Sequence, residues 1–330
     1  MLTFKHNLHF TEKDSMLKGF QEVVFSVSNL EREVDFYQHT LDWKIISESK
    51  GDSALKQLWQ LEEEVAIEEV LLHNEGDHEG FLRLVQFKNV EQEVIRSGAH
   101  AWDSGGIFDI NLRVHNIEEM YCTFLRAGWH GYSDPLRYTF GIYDVSEVLL
   151  KGPDDITIAI MQRFAPPLEG FEHMKTTSRI FNSSTISRDM KATHDFFINQ
   201  LGFKMFFQSL GLDRKAGHNV LGFPESMNHE ISVPIDIVRP DINNYGSIEY
   251  LEPQEISGKD CSQLAYPPNL GILMLRFPVK DAVAYASILE ERGVEINSPV
   301  KELTIEPYGK MKVFSVRSPD GVWLEFMEIV

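Results

Sequence analysis

The chain has 330 residues, with 31 Lys and Arg against 50 Asp and Glu, a formal net charge of −19 at pH 7. That balance excludes nucleic acid and an anionic membrane surface as partners, because both require clustered basic residues. With 43% hydrophobic and 25% charged residues, the chain can build a sizeable core and does not have the composition of a disordered protein.

The length predicts about two domains. No window approaches the roughly 18 apolar residues of a membrane span, and the opening MLTFKHNLHFTEKDSML lacks the unbroken apolar stretch of a signal peptide. Only two cysteines occur, Cys122 and Cys261, far apart and in no C-x-x-C pair, which excludes a disulfide scaffold and a thiolate zinc site. The expectation is a soluble cytoplasmic protein, monomer or homodimer, acting on a small molecule.

The first strand-like run begins near Glu22 and leads into a helix in which Leu30, Val34, Tyr37 and Leu41 form one apolar stripe, with Ser28 and Glu31 spaced as a capping box. The same strand-then-helix unit recurs as DINLRVHNIEEMYCTFLRAG, RIFNSSTISRDMKATHDFFINQL and ILMLRFPVKDAVAYASILEERG. Gly128 and Gly293 close the second and fourth helices, glycine being the residue type suited to a left-handed C-cap. Short β-rich runs follow each helix, in module three KMFFQSL, HNVLGFP and ISVPIDIV, so the order is β-α-β-β-β. Four such modules are predicted, over about 18–88, 107–164, 178–238 and 270–330. DFYQHTLDWK at 35–44 matches DFFINQLGFK at 195–204, and GPDDITIAIMQ from Gly152 matches SPDGVWLEFME from Ser318. These repeats divide the chain into two pseudo-symmetric halves, 1–164 and 178–330, joined by a linker at 165–177 that carries Pro166 and Pro167. Residues 239–270 fit no module and are read as an ordered excursion, either a lid or a spacer.

The β-α-β-β-β modules, the D-F-Y/F-x-x-x-L-G/D-W/F motif after the first helix and the S-P-D-G-x-x-x-E motif of the last strand resemble the vicinal oxygen chelate superfamily. Glyoxalase I, bleomycin-resistance proteins and extradiol dioxygenases belong to it. The resemblance covers nearly the whole chain and implies an α+β fold of four modules, each half a concave mixed sheet flanked by helices. It further implies cups formed by paired modules, with ligands at the start of each module's first strand and four residues past the glycine of its last turn. The first-strand positions are Glu22, Asp109 and Asn182, with Ile272 or Met274 in module four; the last-strand positions are Leu84, Ala159, Val233 and Glu325. The two histidines and one glutamate of the dioxygenases are not matched, and the twelve histidines do not cluster. Glu22, Asp109 and Glu325 are then the candidate ligands of a weak divalent site, Mg²⁺, Mn²⁺, Zn²⁺ or Fe²⁺. Which modules pair is left open; one with four and two with three would place Glu22 and Glu325 together.

Strand alternation places Asp109, Asn111 and Arg113 on one face, Asn182 and Ser184 on another module's cup face, and Trp323 beside Glu325. Asn111, Arg113, Asn182, Ser184 and Trp323 are candidate substrate-binding residues. Arg113 suits a carboxylate or enolate, although pairing with an acid of the protein is an equal alternative, as is pairing of Glu325 with Arg276. The expected chemistry is a non-oxidative isomerisation, epimerisation or lyase step in which Glu22, Asp109 or Glu325 shuttles a proton. The rival is metal-free binding of bleomycin-resistance type, with an extradiol dioxygenase third. No nucleotide cofactor is expected, since no G-x-G-x-x-G or P-loop stands out.

Overall fold

The computed structural model describes residues 8–11, 15–211, 215–241 and 246–330. Module one runs β1 (Glu22–Ser26), α1 (Leu30–Asp35), β2 (Lys44–Lys50), α2 (Ser53–Leu58), β3 (Ala66–His73) and β4 (Phe81–Lys88). Module two follows as β5 (Asp109–Arg113), α3 (Ile117–Arg126), β6 (His130–Gly131), β7 (Leu136–Phe140), β8 (Tyr143–Lys151) and β9 (Thr157–Ala165). Module three is β10 (Asn182–Ile186), α4 (Met190–His194), β11 (Lys204–Ser209), β12 (Ile235–Arg239) and β13 (Ser247–Leu251). Module four is β14 (Gly271–Pro278), α5 (Ala282–Glu291), β15 (Ile296–Ile305), β16 (Gly309–Arg317) and β17 (Trp323–Ile329).

The four module helices start alike. Asn29, Asn116, Asp189 and Asp281 are their N-caps, each side chain accepting from a backbone N–H of the first turn, which satisfies donors the helix itself leaves unpaired. The cap of α1 is therefore Asn29, not Ser28. Asp281→Ala should lower stability by about 1 kcal/mol, read as a shift of the urea midpoint. The repeated D-F-Y/F segment gives both α1 and α4 a closing π-helical turn, at Phe36–Thr40 and Asp195–Gln200. These wide turns bury Phe36 and Tyr37 in one half, and Phe196 and Phe197 in the other.

Within every module the first and last strands are parallel neighbours. The modules then join in antiparallel fashion through their first strands, β1 with β14 and β5 with β10. One sheet has the order β15-β16-β17-β14-β1-β4-β3-β2, and the other β11-β12-β13-β10-β5-β9-β8-β6, with β7 on β8. Module one therefore pairs with four, and two with three, so each curled sheet takes one module from either side of the linker. The faces carrying Val23, Phe25, Ile110, Leu112, Leu275 and Phe277 turn away from the cups and merge with the helices into one apolar core.

Module three departs from its expected strands. HNVLGFP forms turns, ISVPIDIV is a strand only from Ile235, and the fourth strand is SIEYL, inside the stretch read as an excursion. Ile231 and Val233 are buried as loop residues against Phe108 and Leu149; their apolar pattern reflects burial without a ladder, and Pro234 has no N–H to give one. Of the excursion, residues 242–245 lie outside the described residues.

Candidate functional site

The two cups hold opposite arrangements of charge. In the cup of modules one and four, Glu22, Arg83, Arg276 and Glu325 are all fully buried. Arg83 donates to both Glu22 oxygens, at 2.7 Å from Nε and 3.1 Å from Nη2. Arg276 bridges the two acids, with Nη1 2.7 Å from Glu22 and Nε 2.6 Å from Glu325. Tyr308 Oη donates to Glu22 at 2.8 Å, and Trp59 Nε1 to Glu325 at 2.6 Å. Burial alone would raise the Glu22 carboxyl, but Arg83 and Arg276 outweigh it and bring it to about 2. Helix α2, which the sequence reading did not identify, lies over this cup and supplies Leu55, Leu58 and the adjoining Trp59 to an apolar fill that includes Phe81, Met274, Met311 and Trp323.

The cup of modules two and three keeps an open space. A cavity of 460 Å³ is lined at its base by Asn111, Arg113, Asn182 and Glu249, and on its walls by Phe140, Tyr143, Phe181, Phe206 and Phe207. Pro166, Pro167, Leu168 and Phe171 line it as well, so the segment joining the halves is part of the site. At one end of this cup Phe108, Leu149, Phe223, Ile231 and Val233 pack into a separate apolar cluster.

Glu249 sits on β13 beside Ser184 of β10 and accepts from Asn182 Nδ2 at 3.3 Å. Burial, with Glu147 and Asp109 close by, pushes its carboxyl up to about 8. Asp109 lies behind Asn111, whose Nδ2 donates to it at 2.7 Å. Burial again dominates there, against hydrogen bonds from Ser184 and Asn111, and the carboxyl rises to about 7. Glu147 on β8 accepts from Tyr138 and is also raised by burial. One buried carboxyl, Asp109, and two half-buried ones, Glu147 and Glu249, thus belong to one cup, and Asp109 and Glu249 are pushed to near neutral pH or above. Arg113 is 7% exposed, its guanidinium lying over the Phe181 ring at 3.9 Å. Burial and the neighbouring Arg163 lower it to about 9.

The register corrects two of the expected positions. Glu22 and its strand neighbours align so that Arg83, not Leu84, faces the cup, and Val233 is replaced by Glu249 on the true last strand. The positions are therefore Glu22, Arg83, Met274 and Glu325 in one cup, and Asp109, Ala159, Asn182 and Glu249 in the other. Asp109, Asn111, Arg113, Asn182 and Ser184 come together; Glu22, Glu325 and Trp323 lie in the other sheet. Glu147, Tyr138, Arg163, Arg239 and Glu249 were missed. For Glu249 a signal existed: Gly246 precedes it by three residues much as Gly321 precedes Glu325 by four.

As a metal centre the second cup fits poorly. Its carboxylates Asp109 and Glu249 are joined by an amide and by Ala159, while Arg113 brings a positive charge to the same base. Among the described residues, no three His, Cys, Asp or Glu side chains are grouped to hold a cation.

Comparison with known proteins places this geometry. Residues 184–326 match the family described as the glyoxalase/bleomycin resistance protein/dioxygenase superfamily. Over 94% of this chain and 92% of the other, the structure is similar to glyoxalase I from Zea mays, with TM-score 0.60 and 14% identity. That stretch belongs to the superfamily, and the whole chain has its fold. A point mutant of the same maize enzyme superimposes with TM-score 0.61 at 15% identity, again over 94% and 92% of the two chains. A putative dioxygenase from Bacillus subtilis subsp. subtilis str. 168 does so with TM-score 0.60 at 11% identity, over 96% of this chain and 86% of the other. No curated protein matches the sequence. Identities this low establish the superfamily fold and leave the reaction to be argued from the site. Among the described residues no helix is long and apolar enough to cross a membrane.

Proposed function

We propose that the chain is a small-molecule enzyme of this superfamily whose working cup is that of modules two and three, and that it catalyses a non-oxidative proton transfer next to a carbonyl. The observation that carries the reading is Glu249, a half-buried carboxyl lining the cavity and pushed up to about 8, where a group can both accept and return a proton at neutral pH. In the step, ionised Glu249 takes a proton from the carbon beside the carbonyl. The C–H electron pair becomes the carbon–carbon double bond of the enolate as the carbonyl π pair moves to oxygen, and the protonated acid then returns the proton to a different carbon on the same face, re-forming a carbonyl. The Asn111 and Asn182 amides and the positive field of Arg113 stabilise the enolate. Asp109 and Glu147 stand behind this first row and raise Glu249 by repulsion when charged.

Under this reading the first cup serves structure. Its acids Glu22 and Glu325, expected as proton carriers or metal ligands, are each held by a guanidinium instead. No metal is assigned to either cup, and the chemistry is derived from side chains alone.

The test is solvent exchange. A panel of enolisable aryl ketones, β-dicarbonyl compounds and 2-oxo acids is incubated with the protein in D₂O and followed by NMR. Deuterium wash-in to at least one compound, unchanged after EDTA, is the expected result. Exchange that EDTA abolishes and Mn²⁺ or Mg²⁺ restores would overturn the metal-free step. A panel member bound in the cavity with neither exchange nor product would identify a binding protein of bleomycin-resistance type.

A further inference from the structure

The arginines of the two cups differ in what they meet. Arg83 and Arg276 have carboxylate oxygens at 2.7 Å or less, and Arg179, buried near the linker, has Asp77 at 2.6 Å. Arg113 is nearly as buried as these, yet among the described residues it has no carboxylate within ion-pair distance, and its Nε has no hydrogen-bond partner. Its contacts are a ring face, that of Phe181, and the sulfur of Met161. A buried guanidinium without an anion is costly, by several kcal/mol relative to its state in water.

Two further arginines line the same cavity, Arg163 lying over Tyr143 at 4.6 Å and Arg239 over Phe206 at 3.5 Å. A guanidinium stacked on an aromatic face can still donate within its own plane to a planar acceptor, and Arg113, stacked on Phe181 with its Nε unpartnered, is so placed. The acids in this cup, Asp109, Glu147 and Glu249, bond instead to amide and hydroxyl groups. The cavity thus combines cationic donors with flat apolar walls, in a volume typical of small-molecule sites.

We propose that the ligand of this cavity is a planar organic anion, an aryl or vinyl carboxylate, whose acid group is bound by Arg113 while its flat body lies between the aromatic walls. This rests on the small-molecule reading of the cup given above and names the substrate class. Two donors of one guanidinium match the two oxygens of a carboxylate, and the anion supplies at hydrogen-bond distance the countercharge that Arg83 and Arg276 have from the protein and that Glu147 supplies to Arg113 only from beyond ion-pair distance.

The test is calorimetric titration of the full chain at pH 7 with benzoate, phenylacetate, cinnamate and phenylpyruvate, and with the neutral amides of the same acids. At least one acid should bind at least about tenfold more tightly than its amide, the range of a charge-assisted hydrogen bond. Arg113→Met should weaken acid binding far more than amide binding and so remove that preference, and Arg113→Lys should retain part of it. Thermal melts keep the comparison fair, since Arg113→Met relieves an unpaired buried charge and is expected to fold. Equal affinity for acid and amide, acid binding unaffected by Arg113→Met, or no binding by any acid overturns the proposal. The catalytic reading fails separately: acids that bind through Arg113 while Glu249→Gln retains solvent exchange would leave the ligand class standing and remove Glu249 from the chemistry.

Discussion

Replacing Arg276 by methionine should destabilise the protein by about 3–5 kcal/mol, the largest single effect on folding that we expect. The side chain is fully buried and touches two carboxylates, Glu22 and Glu325. Its loss leaves both without their shared cation, with Arg83 covering only Glu22. The measurement is urea unfolding at pH 7, where the midpoint should fall sharply. The pH dependence carries the sign. In the wild type Glu22 is depressed from 4.5 to about 2, so its stabilising share is fully present above pH 4.5 and is lost as pH falls through about 2. In Arg276→Met the deficit should instead shrink on acidification, because the stranded acids become neutral. Because Glu69 also lies 3.7 Å from Arg83, a combined Glu22→Gln, Glu69→Gln, Glu325→Gln, Arg83→Met, Arg276→Met variant should recover much of the loss, since replacement of a whole buried ion-pair group by neutral residues is often neutral. Equal stability of Arg276→Met and wild type would show that the network does not hold this cup together.

Glu249→Gln should lower solvent exchange and turnover by about 10²–10⁴-fold while making the protein more stable. The two effects have one cause. The folded carboxyl ionises near pH 8 and the unfolded one near 4.5, so the unfolded state releases its proton first. Wild-type stability from this group is therefore fully present below pH 4.5 and is lost as pH rises through about 8. Glutamine has no proton to lose, and the variant's advantage should be absent at pH 4, grow through the window and reach on the order of 3 kcal/mol at pH 9. Melting temperatures at four pH values, beside the exchange rate, check both halves. A variant that loses exchange without gaining stability at high pH would point to a Glu249 already paired in the free protein.

These opposite outcomes come from cups built on the same plan. In one, guanidiniums answer the carboxylates and a helix with Trp59 closes the space. In the other, the arginines and acids are held apart, the acids on amides and hydroxyls and Arg113 on a ring. The first is closed by paired charges and an apolar fill and the second keeps an open cavity, the arrangement expected where function requires groups that folding alone would not leave unpaired.

The sequence by itself determined the units. Apolar stripes, the glycines that close two helices and the D-F-Y/F repeat are local, carried by neighbours along the chain, and they specified four β-α-β-β-β modules and the cup-facing parity of Asp109, Asn111 and Arg113. It also contained both acids of the first cup and the possibility that Glu325 meets Arg276. Only the tertiary structure decided how the modules pair, because that depends on β1 lying antiparallel to β14 and β5 to β10, contacts between segments far apart in the chain. Pairing in turn decided that Glu22 shares a cup with Glu325 and Arg276, not with Asp109. The position of Glu249 was hidden for a related reason. A long irregular segment ahead of β12 buries Ile231 and Val233 as a strand would, and only the ladder of β13 on β10 reveals which residues of module three line the cavity.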